Sequence, residues 1–244
     1  MRITIFGAGA MGSFYGARLA ATGHAVTVIA RGARASAIET GGLRIRRRGR
    51  TGVSAARVRV AATLSEAGPA DVVVVLVRRQ QLDAILPLLG AQPSDVLMMV
   101  NVASGYDAWR AALGPRLLVG FPGATGRFAA DGVLEHEIAP RLLQPTVLGE
   151  PDGPPTERVR TIAAAFRGAG FPTQLRDDME AWQRTHAAWM APFMLTAAAA
   201  RGDDLAFAAP ASLRRWVDAS EAIAALRAGG VRITPASIRL AAAL

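Results

Sequence analysis

Gly7, Gly9 and Gly12 stand in the spacing G-x-G-x-x-G within RITIFGAGAMG, directly after a short apolar run and where a helix is expected to begin. In that setting each glycine has its own task. The first permits a tight turn, the second lets backbone approach a pyrophosphate, and the third lets helix and strand pack closely. The helix N-terminus then offers unpaired N–H groups and partial positive charge to phosphate. Gly7, Ala8, Gly9, Ala10, Met11 and Gly12 form a candidate dinucleotide cradle. A purely structural turn is the alternative in a chain with 25 glycines.

The next apolar segment, AVTVIA, runs into Arg31. An acid at that strand end would bind an adenosine ribose diol and repel a 2′-phosphate, and none occurs before Glu39. Arg31 instead offers a fork of charge-assisted hydrogen bonds to that phosphate. The sequence therefore points to NADP(H), with a solvated surface arginine as the alternative reading. Arg34 is a weaker candidate for the same work.

These residues need a scaffold. RITIF, AVTVIA, DVVVVLV, DVLMMVNV and RLLVGF read as strands alternating with helices, and DVVVVLV is apolar on both faces, as a central parallel strand must be. LRIRRRGRTGVSAARVRVAAT alternates between turn signals and reads as a hairpin or ribbon at the sheet edge. GVLEHEIA and PTVLGE read as short antiparallel strands, and TERVRTIAAAFRGAG as a helix closed by glycines. Beyond FPTQLRDDM the pattern is nearly all helical. The expected fold is α/β: a Rossmann-like, doubly wound parallel sheet over residues 1–176, then a smaller all-helical domain over 177–244.

The chain has 244 residues and a formal net charge of +9, and each of its 28 basic residues is arginine. That balance fits a GC-rich coding bias and also favours anionic ligands. The run RIRRRGR has no recognition helix or aromatic platform beside it, so nucleic acid is not expected as a partner. Cysteine is absent, and His24, His136 and His186 show no ligand spacing, so no metal is expected. The apolar run AAWMAPFMLTAAAA is shorter than the roughly 18 residues of a membrane span and contains Pro192. The Gly-rich start fits a βα unit better than a signal peptide. The expectation is a soluble, cytoplasmic protein.

The segments MRITIFGAGAMGSFYGARLAATGHAVTVIARG, DVVVVLVRRQQL, VNVASGYDAW, VLGEPDG, RVRTIAAAFRGAGF and DDMEAW together resemble the ketopantoate reductase (2-dehydropantoate 2-reductase) family in order and spacing. The resemblance implies an NADPH-binding Rossmann domain with a helical domain that closes over a 2-oxo acid. It places Arg31 at the family's cation for the 2′-phosphate. It places Arg78 where the family has a lysine near the cofactor. It also places Asn101, from VNVASG, where the family carries Gln-Asn-Gly beside the nicotinamide, in reach of the carboxamide or substrate.

The resemblance also shows departures. In AWQRTHAAW, Arg184 occupies the place of the family's catalytic lysine, and two substrate-binding asparagines are replaced by Ala188 and Pro192. Arginine keeps its proton, so Arg184 would stabilise a negative oxygen and leave water as the proton source. His186 is a second candidate acid, because its unperturbed pKa near ~6.5 suits proton transfer. Helical spacing puts Trp182, His186, Trp189 and Phe193 on one face and Arg184, Ala188 and Ala191 on the opposite one. If the Arg184 face borders the ligand, His186 is a core histidine. The family's Ser-Ser-Met segment and later Glu do not occur before the end of the sequence. The expectation is a short member, or a pocket completed by another subunit in a homodimer.

Two functions follow from this reading. One is an NADPH-dependent reductase that passes hydride to a small 2-oxo acid or related ketone, in the family's default case in pantothenate biosynthesis. The other is an NADP(H)-binding protein with little or no catalytic activity.

Overall fold

Val72–Val75 is buried on both faces, with none of its four side chains more than 2% exposed, and the main sheet is assembled around it. In the computed structural model, which describes residues 1–141, 144–199 and 211–241, the strands are β1 (Arg2–Phe6), β2 (Ala25–Ile29), β3 (Leu43–Arg47), β4 (Val53–Ala56), β5 (Arg59–Ala61), β6 (Val72–Val75), β7 (Asp95–Met98), β8 (Leu117–Phe121), β9 (Ala124–Phe128), β10 (Leu134–Ile138), β11 (Thr146–Gly149) and β12 (Thr173–Arg176). The helices are α1 (Ala10–Ala21), α2 (Gly32–Gly41), α3 (Leu64–Ala67), α4 (Leu82–Gly90), α5 (Asp107–Leu113), α6 (Glu157–Gly168), α7 (Met179–Ala199), α8 (Ala211–Ala228) and α9 (Ala236–Ala241).

The chain divides into two compact units. Met1–Val100 with Tyr106–Asp177 forms the first, and Asn101–Gly105 with Asp178–Leu244 forms the second. In the first unit, an eight-stranded sheet runs in the order β12-β11-β8-β7-β6-β1-β2-β5. Every neighbouring pair is parallel except β8 and β11. Consecutive parallel strands joined by helices make the doubly wound α/β arrangement that the alternating pattern predicts.

The Arg-rich segment, expected as a hairpin or ribbon near the sheet edge, is divided between two sheets. Its first two strands, β3 and β4, pair antiparallel, but they belong to a separate four-stranded sheet of order β4-β3-β10-β9. Its last strand, β5, closes the edge of the large sheet beside β2. The two strands expected to be antiparallel each have one antiparallel and one parallel neighbour. β10 lies between β9 and β3, and β11 between β8 and β12. Burial explains why they part company. β11 is buried at every position, as an interior strand of the large sheet requires. In β10, buried Leu134 and His136 alternate with the more exposed Glu135 and Glu137, a half-buried pattern.

α1 packs against β1 and β2 of the large sheet and against β3, β9 and β10 of the small one. Phe14, Tyr15 and Leu19 are fully buried there. Tyr15 stacks on Phe171 with ring centroids 4.1 Å apart and shares a 2.6 Å hydrogen bond with Thr146. α1 is therefore fixed along its length, and with it the turn that opens it.

In the second unit α7 packs on α8. Thr234 Oγ1 donates to Asp178 Oδ2 at 2.8 Å and joins the segment before α9 to the start of α7. Among the described residues, no helix is long and apolar enough to cross a membrane.

Candidate functional site

The turn Gly7–Gly9 joins β1 to α1 at the carboxyl end of the sheet, where ligands of open α/β folds bind. Its three glycines are held for different reasons. Gly7 has φ +115°, and a Cβ there would lie 2.6 Å from the Leu76 carbonyl oxygen, just after β6. A Cβ on Gly12 would lie 1.8 Å from the Gly7 oxygen. Gly9 is the exception: apart from its chain neighbours and its own helix, no heavy atom of the described residues lies within 4 Å of a Cβ built there. The first and third glycines serve the protein's own packing, and the second faces open space. Gly9 also caps α1 without a side-chain bond, and the first turn of α1 carries no acid. The helix end is left electropositive with its N–H groups available. A pyrophosphate fits this cradle on the protein's own geometry.

Arg31 is the N-cap residue of α2, two positions beyond the last residue of β2. It is exposed, and among the described residues its side chain has no hydrogen-bond or ion-pair partner. Arg34 is placed differently. It is half-buried, with Nε donating to the Ala8 oxygen at 3.2 Å and Nη2 donating to Ser13 Oγ at 2.7 Å. Its guanidinium lies 4.6 Å from the centroid of the Phe128 ring. Burial pulls its pKa below the usual arginine range without discharging it. Arg78 is exposed after β6, and its backbone N–H donates to Gln81 Oε1 at 3.0 Å.

The arginines of RIRRRGR meet carboxylates across the small sheet. Arg46 pairs with Asp131 and with Glu135, each at 3.0 Å, and Arg48 with Glu137 at 3.4 Å. Opposite charges on facing strands account for this part of the run without any ligand.

The second unit holds the other candidates. Asn101 is exposed at the start of the segment Asn101–Gly105. Gly105 has φ +88°, and a Cβ there would lie 2.8 Å from Glu180 Oε1. Arg184 Nη1 lies 3.7 Å from that same oxygen. Among the described residues, Arg184 Nε is buried with no hydrogen-bond partner, although a buried donor is ordinarily paired. Loop, carboxylate and guanidinium are thus neighbours within one unit.

His186 is 9% exposed and stacks on Trp182, with centroids 5.0 Å apart and planes 9° from parallel. Burial lowers its pKa to about 4. Ala188 and Pro192 are half-buried and Ala191 is exposed. The side chain of Phe193 lies outside the described residues.

The sequence pattern described as ketopantoate reductase PanE/ApbA matches residues 3–150. The chain belongs to the ketopantoate reductase family. That family is one of oxidoreductases acting on a small keto acid. The 2-dehydropantoate 2-reductase of Mesorhizobium japonicum is 34% identical over 212 residues, which are 75% of this chain and 62% of that protein. The chain thus spans less than two thirds of that relative's length. Among solved structures, the 2-dehydropantoate 2-reductase of Geobacter metallireducens superposes with a TM-score of 0.79 at 24% identity, covering 99% of this chain and 81% of that one. That of Methylococcus capsulatus gives 0.77 at 24% identity, covering 100% and 79%. Likeness at that identity shows the fold.

Within this ketopantoate reductase scaffold, sequence reasoning missed the grip of Arg34 on the glycine turn and the place of Glu180 beside both Gly105 and Arg184. A signal existed for each. Arg34 follows Arg31 by three residues at the start of a helix, and Glu180 precedes Arg184 by four on another. Both spacings put the pair on neighbouring positions of a helical surface.

Proposed function

We propose that this chain is an NADP(H)-dependent reductase that delivers hydride to a small 2-oxo acid or a related ketone. The observation that carries the reading is Arg31, exposed and unpartnered among the described residues at the end of β2, where an acid would repel a 2′-phosphate. Residues 1–176 form the cofactor-binding domain in this reading, and residues 177–244 the helical one.

The backbone N–H groups from Gly7, Ala8, Gly9, Ala10, Met11 and Gly12 receive the pyrophosphate, and Arg31 receives the 2′-phosphate. Arg78 adds a cation after β6. Asn101 bonds the carboxamide or the substrate. When bound, the reduced nicotinamide supplies hydride to the carbonyl carbon. Arg184 offers its guanidinium charge to the carbonyl oxygen as that oxygen becomes negative. The guanidinium keeps its own proton, so water protonates the alkoxide. His186, neutral at working pH because burial holds its pKa near 4, packs α7 and does not serve as the acid.

The test is NADPH oxidation with a panel of 2-oxo acids that includes ketopantoate. Turnover with one member supports the reductase. NADPH binding without turnover on any member replaces it with the binding-protein reading.

A further inference from the structure

Arg34 grips the turn that the proposed cofactor would occupy. The Ala8 carbonyl oxygen accepts from Arg34 Nε at 3.2 Å and from Ser13 Oγ at 3.2 Å, and Ser13 Oγ itself accepts from Arg34 Nη2 at 2.7 Å. Three hydrogen bonds thus close a small network around one peptide, with Ser13 only 1% exposed. The guanidinium plane is held from another side by the Phe128 ring at 4.6 Å. The side chain can neither swing away nor release the carbonyl without losing several contacts at once.

A peptide unit is planar and trans, so its C=O and the following N–H point in opposite directions. Fixing the Ala8 oxygen therefore fixes the direction of the Gly9 N–H. Gly9 is the turn residue whose surroundings are open. Its N–H belongs to the turn that the proposed pyrophosphate would occupy. Gly9 follows this peptide and Gly7 precedes Ala8, so the turn has wide backbone freedom, and the bonds from Arg34 and Ser13 to the Ala8 oxygen limit it.

We propose that Arg34 is a positioning residue: by clamping the Ala8–Gly9 peptide it aims the Gly9 N–H at the dinucleotide pyrophosphate. This role rests on the NADP(H) reading and divides the labour between two arginines three residues apart. Arg31 reads the 2′-phosphate. Arg34 shapes the cradle that phosphorylated and unphosphorylated dinucleotides share.

The experiment measures, by calorimetry on the full chain, the affinities of NADPH, NADH and 2′-AMP for the parent, Arg34→Gln, Arg34→Lys and Ser13→Ala. Arg34→Gln weakens NADPH and NADH by the same factor, about tenfold, and leaves 2′-AMP unchanged. Arg34→Lys falls between parent and Arg34→Gln. Ser13→Ala removes part of the network while keeping the charge, so it weakens both dinucleotides in the same ratio by a smaller factor, whether or not Arg34→Gln folds. A loss confined to NADPH and 2′-AMP would make Arg34 a second phosphate cation and overturn the positioning role, as would unchanged affinities. A parent chain that binds neither dinucleotide overturns the cofactor reading, and this role with it.

Discussion

Arg184 Nη1 lies 3.7 Å from Glu180 Oε1, one helical turn earlier on α7, while its buried Nε has no hydrogen-bond partner among the described residues. The carboxylate pairs with one end of the guanidinium. In this arrangement the cation is a fixed electrostatic group.

Arg184→Ala should therefore lower kcat of the reductase by roughly 10²–10³, the usual cost of losing one donor to a developing oxyanion. In the parent, burial holds the His186 pKa near 4, so that ring adds no limb near neutral pH and the rate should be level from about pH 6 to 9. Arg184→Lys should introduce a falling limb at the basic end as the ammonium loses its proton. Steady-state kinetics across pH checks both. A basic limb already present in the parent would show that another group supplies the proton.

Arg31→Ala should leave NADH binding nearly unchanged and weaken NADPH by about ten- to a hundredfold, because a hydrogen bond to a charged group is worth ~1.5–3 kcal/mol. Titration of both nucleotides gives the ratio. Equal affinity for the two in the parent would remove the 2′-phosphate from the reading.

Gly9→Ala and Gly12→Ala should fail in opposite ways. A Cβ at Gly9 meets nothing, so stability should change by no more than about 0.5 kcal/mol while NADPH affinity falls at least about tenfold. A Cβ at Gly12 would meet the Gly7 oxygen at 1.8 Å, so that variant should lose about 1–3 kcal/mol or more. Denaturant melts with and without NADPH separate the two. An alanine at Gly9 that binds NADPH normally would mean that the dinucleotide does not approach there.

His186 should make the protein acid-sensitive. Its folded pKa is about 4 against an ordinary 6.5, so between those values the unfolded chain holds a proton that the folded chain lacks. Stability from the neutral ring is whole above pH 6.5 and falls as pH drops toward 4, by at most roughly 3 kcal/mol. His136 acts in the same direction: burial lowers its pKa to about 4, with Arg18 and Arg47 adding repulsion. His186→Gln should flatten part of that slope in urea melts at stepped pH. An unchanged slope would show that His186 remains protonated in the fold.

Much of the first unit was legible because its signals are local. Runs such as VVVV and the glycine spacing state their own secondary structure. On α7 the expected faces are only partly distinct: Trp182 and His186 are buried and Ala191 is exposed, but Trp189 is half-buried like Arg184 and Ala188. The small sheet was not legible, because its decisive pairing joins β3 to β10 across long intervening sequence. A ribbon pattern does not say which sheet it will join. Arg34 was only partly legible for a related reason. Its position on α2 is visible in the sequence, but its partners Ala8 and Ser13 come from a different βα connection.

That same β3–β10 pairing sets an order on how the chain can be built. Ile45 faces Leu134 in parallel register, so during synthesis the β3–β4 hairpin must wait with one edge uncovered until β10 leaves the ribosome. Distant parallel pairings form slowly because much chain must first be gathered. An exposed strand edge is meanwhile a template for the wrong neighbour. The interval is short of apolar temptation, since Arg44, Arg46 and Arg47 line the waiting strand. The arginine run would then guard solubility on the nascent chain before its carboxylate partners arrive.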